Sequence, residues 1–414
     1  MTTDVVITGL GATTPLGGDV ASTWDGLLNG RTGVRRLEAE WLDTYELPTK
    51  IGSPLAVEPS EVLPRVQLRR MDRCEAIAVI AAREAWADAG IEMPTDESEA
   101  VDPDRLGVSL GTGIGGPLTL LEQNDLLKAS GLRKVSPLTV PMLMPNGPAA
   151  MVSLDLRARA GVHSPASACA SGAEGLAKGF DMIRSGQADV VVAGGAEACI
   201  HPITVAGFNQ ARTLSTRNDD PDRASRPFDV DRDGFVMGEG AGVVVLESAE
   251  HAKARGARVY GRLAGTGISS DAYHITGSHP DGLGQISAMR KALETAELTA
   301  GDIGHVNAHA TSTVVGDVGE ANSVRKAIGD GAAVTAPKGS LGHLVGGAGA
   351  VESIVTVLAL HHGVIPATRN LETLDEKVEL DVVADKPRHV EHTAAINNAF
   401  GFGGHNVALA FAKA

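Results

Sequence analysis

The chain has 414 residues, room for roughly two to four domains or one large duplicated one. Its 43 % apolar and 21 % charged residues exclude a disordered chain, and a formal charge of −15 repels phosphate backbones, so nucleic acid is not an expected partner. Glycine is plentiful (50 residues) and aromatic residues are scarce (seven Phe, three Trp, three Tyr), a balance that favours close backbone approach over aromatic packing.

The opening Met-Thr-Thr-Asp lacks the basic region of a leader, and Val5 to Ile7, closed by Gly9 and Gly11, reads as a buried strand entering a loop. Asp72 is an N-cap with Glu75 three residues on; its helix carries Ile77, Ile80 and Trp86 and stops at Gly90. The acidic stretch Glu92 to Asp104 reads as a solvated loop. A strand is expected at Arg105 to Leu110 and a strand end at Pro165 to Cys169, then a helix with Leu176, Phe180 and Ile183 at i, i+4 and i+7, then strands at Asp189 to Val192 and Gly242 to Leu246.

The second half repeats that order. A strand at Val259 to Leu263 precedes a helix marked by Ile286, Met289 and Leu293, a strand at His305 to Ala308 and a helix at Glu320 to Ile328. A strand ending near Lys338, a helix from about Gly349 to His361 and strands at Ala394 to Ile396 and Val407 to Phe411 complete it. The alternation predicts an α/β sheet architecture. Asp104 to Gly111 and Asp302 to His309 match in length and texture, which points to two similar halves about a pseudo-dyad, with the break in the polar stretch Glu247 to Arg258. No apolar run approaches the ~18 residues of a membrane span. Three cysteines without C-x-x-C spacing suggest neither a disulfide framework nor a thiolate metal site, and a soluble cytoplasmic protein is expected.

Cys169 sits in Ser167-Ala-Cys-Ala-Ser-Gly172, between a strand and a helix running to about Arg184. A helix N-terminus favours a thiolate by ~0.3 to 1 kcal/mol, up to ~2 when partly buried, and the small neighbours admit a long substrate. Cys74 and Cys199 have no activating surroundings and read as structural. His309, at a strand end, and His343, at a junction equivalent to that of Cys169, are individually unremarkable; the pseudo-dyad would bring their loops and the thiol together over the carboxyl ends of the strands. Gly111-Thr-Gly-Ile-Gly-Gly116 fits a dinucleotide fingerprint, but no acidic residue follows about twenty positions later, so nicotinamide binding is rejected. The glycine loop from Asn398 to Asn406 is either a tight hairpin or a source of backbone N–H groups aimed at an oxyanion.

These segments, with Ser215 to Asp219, Ala224 to Phe228, Gly234 to Gly242 and Gly401-Phe-Gly-Gly404, resemble the β-ketoacyl-acyl-carrier-protein synthases, in particular the elongating synthase II type of the Cys-His-His class. The resemblance implies a thiolase-like fold, duplicated βαβαβαββ halves in an αβαβα five-layer sandwich, with residues 1–252 carrying the nucleophile and 253–414 the two histidines, usually as a homodimer. It makes Cys169 the acyl acceptor and His309 and His343 the donors that promote malonyl decarboxylation. Lys338 is implied as their supporting cation, paired with Glu352. Phe402 supplies the second oxyanion N–H and a gate, Thr311 and Thr313 bind the phosphopantetheine arm, and Phe400 lies at the substrate. Asn307, Glu352, Asn397 and Asn398 match a structural monovalent-cation site of some members, and Arg69, Arg70 and Arg212 are candidates for docking an acidic carrier protein. No cofactor is required beyond phosphopantetheine, which arrives on the carrier with malonyl and acyl thioesters. Ala310 stands where glycine is more usual, and its methyl would narrow the pantetheine tunnel or restrict the turn.

A degradative thiolase needs a second catalytic cysteine near the C-terminus, and none follows Cys199. A non-catalytic chain-length partner lacks the nucleophile that Cys169 supplies. A type II polyketide ketosynthase shares the chemistry and stays open at this level.

Overall fold

Five strands from each half of the chain build the same pattern twice. In the computed structural model they are β1 (Val5–Thr13), β2 (Leu106–Gly111), β3 (Gly161–His163), β4 (Val190–Glu197), β5 (Gly240–Ser248), then β6 (Gly261–Ser270), β7 (Ile303–Asn307), β8 (Ala333–Thr335), β9 (Ala394–Gly401) and β10 (His405–Ala412). The structure describes residues 3–96 and 98–414; Met1 and Thr2 of the expected leaderless start and Glu97 of the acidic loop lie outside the described residues.

The first half has the spatial order β3-β2-β4-β5-β1 and the second β8-β7-β9-β10-β6, so every strand maps onto the one five places later. Directions match too: β2 is parallel to β3 and β4, β5 is antiparallel to β4 and β1, and the second half repeats this. The halves join where β1 meets β6, with Val6 opposite Arg262 and Ile7 opposite Gly261. A short strand, Asp381–Val382, extends the second half beyond β8.

Helices α1 (Arg73–Asp88) and α2 (Gly147–Leu156) cover the outer face of the first half; α4 (Leu283–Ala296) and α5 (Val314–Ala327) cover that of the second; α3 (Ser171–Arg184) and α6 (Ala348–His362) lie between them. Separate apolar cores fill the three regions. Ile77, Val108 and Val243 belong to one outer core, Met289, Val306 and Ile396 to the other, and Leu176, Ile354 and Leu409 to the centre. With helices on both faces, β4 is buried along its whole length, which explains its unbroken Val-Val-Val-Ala run in place of an alternating pattern. This is the five-layer, duplicated architecture expected.

Local differences have physical reasons. Pro165 to Cys169 does not end a strand: β3 already stops at His163, and Ala168–Ala170 form a 3₁₀ turn that lifts the cysteine above the sheet. Lys338 does not end a strand but opens a short helix, Lys338–Leu341, after β8 stops at Thr335; Pro337 cannot donate to a ladder. Helix α5 starts at Val314, six residues before the expected Glu320, and β6 runs on to Ser270. One stretch does reach membrane-span length: Val345–His362, 18 residues of mean hydropathy 1.2, is the central helix with its leading turn and is 89 % buried inside the protein.

Candidate active site

The nucleophile and both histidines stand on loops at matching ends of the two halves. Aligned at the first residues of α3 and α6, Ala168 corresponds to Val345, and both hold the left-handed backbone that L-residues avoid, at φ 51° and 47°. Such conformations cost about 1–3 kcal/mol each and persist where the surroundings enforce them. Here glycine contacts do so. A Cβ on Gly346 would lie 2.3 Å from the Gly113 nitrogen, and one on Gly401 would lie 2.4 Å from the Ser167 oxygen, so the loops interlock backbone to backbone.

That interlocking brings the expected residues together. His343 Nε2 lies 3.0 Å from Cys169 Sγ, the His309 and His343 rings are 5.3 Å apart and nearly perpendicular, and one donor atom from each of the three residues falls within 4.8 Å of the others. Lys338, fully buried, is ion-paired with Glu352 and reaches His309 Nδ1 at 3.4 Å. A lysine ammonium can only donate, so Nδ1 accepts and the His309 ring hydrogen sits on the other nitrogen. The backbone N–H groups of Cys169 and Phe402 both reach the sulfur.

Burial sets the charge states. It holds the His309 and His343 imidazoles well below their usual range, with the Lys338 charge adding to the effect, so both rings are neutral at pH 7. Burial also pushes the Cys169 thiol up to about 12, with Lys338 and the two backbone N–H groups only partly opposing it. The helix terminus therefore does not make a resting thiolate, contrary to expectation.

A cavity of about 460 Å³ opens over the sulfur. Four of the seven phenylalanines, Phe208, Phe235, Phe400 and Phe402, line it together with Thr311 and Thr313, whose hydroxyls lie 3.1 Å apart. Phe235 stands edge-on to His343, Phe400 edge-on to His309, and Phe402 beside Phe208. Arg212 is exposed at the rim of this cavity, whereas Arg69 and Arg70 are exposed at the end of the short helix Arg65–Leu68 and are not part of the lining. The Ala310 methyl belongs to the outer core of the second half and also meets the cavity wall.

Of the four residues expected at a cation, three share one side. Asn307 and Asn397 are register partners on β7 and β9, and both donate into α6, Asn307 to the Glu352 carbonyl and Asn397 to the Gly349 carbonyl. Neighbouring strand residues face opposite ways, so Asn398 turns instead to Met289 and Glu320. Asn307 Oδ1, Asn397 Oδ1 and Glu352 Oε2, and Asn398 Oδ1 as well, are buried without a hydrogen-bond partner among the described residues, oxygen donors suited to a hard cation.

Two carboxyls escaped the sequence reading. Glu320 accepts from the backbone N–H groups of His309 (2.8 Å) and Ala310 (2.6 Å), pinning the histidine loop from below. Glu197, at the end of β4, accepts from Thr112 Oγ1 and from the N–H groups of Gly113 and Gly346, tying the cysteine-side loop to the histidine-side loop; burial raises its carboxyl to about 7.

Residues 2–252 match the family model for the N-terminal domain of β-ketoacyl synthases, and residues 260–372 the model for their C-terminal domain. The chain belongs to the β-ketoacyl synthase family, and it is an acyltransferase with the thiolase-like fold. It is 48 % identical over 411 residues to the 3-oxoacyl-[acyl-carrier-protein] synthase 2 of Mycobacterium tuberculosis, covering 99 % of this chain and 97 % of that protein. Among solved structures, a β-ketoacyl synthase from Burkholderia phymatum superposes with a TM-score of 0.91 at 36 % identity, each chain fully covered. A type II polyketide ketosynthase, solved bound to the hexaketide with its acyl-carrier protein, gives 0.91 at 27 % identity, again with full coverage.

Proposed function

We propose that the enzyme condenses malonyl-acyl carrier protein with an acyl chain held on Cys169, giving a 3-oxoacyl carrier protein two carbons longer in fatty acid chain elongation. The convergence of Cys169, His309 and His343, with Lys338 behind them, carries this reading. In the first half-reaction the sulfur attacks the carrier thioester. His343 Nε2 takes its proton and returns it to the departing pantetheine thiol, while the N–H groups of Cys169 and Phe402 face the developing oxyanion. In the second, the malonyl thioester oxygen accepts from His309 and from His343, whose ring hydrogen now sits on Nε2; carbon dioxide leaves, and the enolate carbon attacks the acyl-cysteine. The sulfur departs as the thiolate and takes up one proton from solvent. Neutral imidazoles suit this role because they donate without protonating the enolate oxygen outright.

Thr311 and Thr313, paired on the cavity wall, hold the pantetheine arm; Phe400 and Phe402 form its gate; Arg212 at the rim meets the acidic carrier, with Arg69 and Arg70 as outlying contacts. Asn307, Asn397 and Glu352 hold a structural monovalent cation, which stiffens the base of the histidine loops and takes no part in the chemistry. The open edge strand β3, where Val162 is 41 % exposed, supports a homodimer. A cytoplasmic setting fits a protein whose helix of membrane-span length is buried.

Cys169→Gln and Cys169→Ala test the assignment. Neither should be acylated by acyl carrier protein, and Cys169→Gln should still release carbon dioxide from malonyl carrier protein. An acylated Cys169→Ala protein refutes the nucleophile, and the mass of the wild-type product separates one two-carbon extension from the repeated extension of a polyketide enzyme.

A further inference from the structure

We propose that Cys169, His309 and His343 also form a three-donor site for a thiophilic divalent cation of the zinc class, whose occupancy reversibly blocks the nucleophile. One donor atom from each lies within 4.8 Å of the other two, and the closest pair, Sγ and His343 Nε2, is 3.0 Å apart. A tetrahedral zinc ion, with metal–sulfur and metal–nitrogen distances of about 2.3 and 2.0–2.1 Å, needs its donors roughly 3.3–3.6 Å apart. The three residues therefore converge on one point after side-chain shifts of about 1 Å. One thiol and two imidazoles are the ligand types that zinc and cadmium prefer over the hard metals. The fourth corner faces the 460 Å³ cavity, leaving the open position through which an ion enters.

The Lys338 ammonium disfavours positive charge at both histidines, and buried carboxyls offset it. It is paired with Glu352, and the carboxyls of Glu197 and Glu320 are also buried around the site, where a bound cation would favour their ionised forms. The contact that ligation competes with is the 3.4 Å hydrogen bond from Lys338 to His309 Nδ1. Binding exchanges the Sγ–H bond for an Sγ–metal bond and releases one proton to solvent; nothing is oxidised or reduced.

Cadmium chloride titrated into the metal-free, full-length enzyme supplies the test, read by the ultraviolet thiolate-to-cadmium charge-transfer band. The band should saturate at one equivalent, vanish in Cys169→Ala and persist in Cys74→Ala and Cys199→Ala. His309→Ala and His343→Ala should each weaken binding at least about tenfold. Alkylating Cys169 in the unmutated enzyme with iodoacetamide should abolish the band without any variant having to fold, and zinc chloride should block that alkylation until a chelator is added. No band in the unmutated enzyme, a band that survives alkylation or Cys169→Ala, or binding indifferent to both histidines overturns the proposal.

Discussion

His343 Nε2 sits 3.0 Å from Cys169 Sγ, yet the two groups rest as neutral imidazole and neutral thiol. Raising the thiol from its ordinary 9 to about 12 corresponds to roughly 4 kcal/mol against the thiolate. A helix N-terminus supplies ~2 kcal/mol at most, so burial wins. The nucleophile is therefore made by proton transfer to His343 once a thioester occupies the cavity. Iodoacetamide alkylation of the free enzyme should rise about tenfold per pH unit from pH 7 to 10, as a thiol titrating above that range requires. A plateau below pH 8 in the rate profile would instead mark a preformed thiolate.

Glu320 holds the other histidine by its backbone. Removing the carboxyl leaves the N–H groups of His309 and Ala310 buried without acceptors, a cost of about 1–3 kcal/mol each. Glu320→Ala should lower decarboxylation by at least about tenfold and lower the melting temperature, while Glu320→Gln, which keeps an acceptor oxygen, recovers part of both. Acylation of Cys169 depends on the other loop and should fall less. Equal loss in both half-reactions, measured separately, would make Glu320 a general fold residue.

The reacting trio was legible in the sequence because each member sits in a loop between a strand and a helix, and the repeat tells which loops face one another. The duplication itself was visible in the order of elements, since buried strands and capped helices leave strong local patterns. Glu320 and Glu197 were not legible: each acts through backbone N–H groups of distant loops, a contact that leaves no residue-type signal at either end. Pro165 to Cys169 was read as a strand end because small residues before a helix look alike whether extended or turned; in the fold Ala168–Ala170 turn, packed against Gly401. For Asn398, the resemblance implied a ligand set shared with Asn397, and strand alternation, which a motif match does not register, turns its amide N–H toward Met289 and Glu320 instead of α6. The thiol's charge state depends on burial, which a local motif does not report.

Gly401 shows how narrow the tolerance at the nucleophile is. A methyl there would lie 2.4 Å from the Ser167 oxygen and 3.2 Å from the Cys169 nitrogen, both backbone atoms that cannot swing aside. Gly401→Ala should push the cysteine turn away from the Phe402 N–H and cost on the order of 10² or more in acylation rate, comparable to losing an oxyanion donor. Binding of carrier protein, which involves the rim, should change little. Undiminished acylation by Gly401→Ala would mean that the turn yields without moving the sulfur.

His305 predicts how the fold responds to acid. It is fully buried on β7, its ring 5.7 Å from that of His392, and neither of its ring nitrogens has a hydrogen-bond partner among the described residues. Burial, with a smaller contribution from His392, holds its imidazole down to about 3. The unfolded chain binds that proton near pH 6.5 and the folded chain does not, so as pH falls from 6.5 toward 3 the unfolded state gains about 1.4 kcal/mol per pH unit from this residue. Several buried carboxyls are shifted upward and act in the opposite direction over part of that range, so the residue must be isolated by substitution. His305→Leu removes the proton site while keeping an apolar side chain in an apolar layer. Its unfolding free energy minus that of the wild type should be flat above pH 7 and should rise by that slope between pH 6 and 4. Urea denaturation at stepped pH measures the difference, and a constant difference across the range would mean that His305 is protonated in the folded protein or reaches water in it.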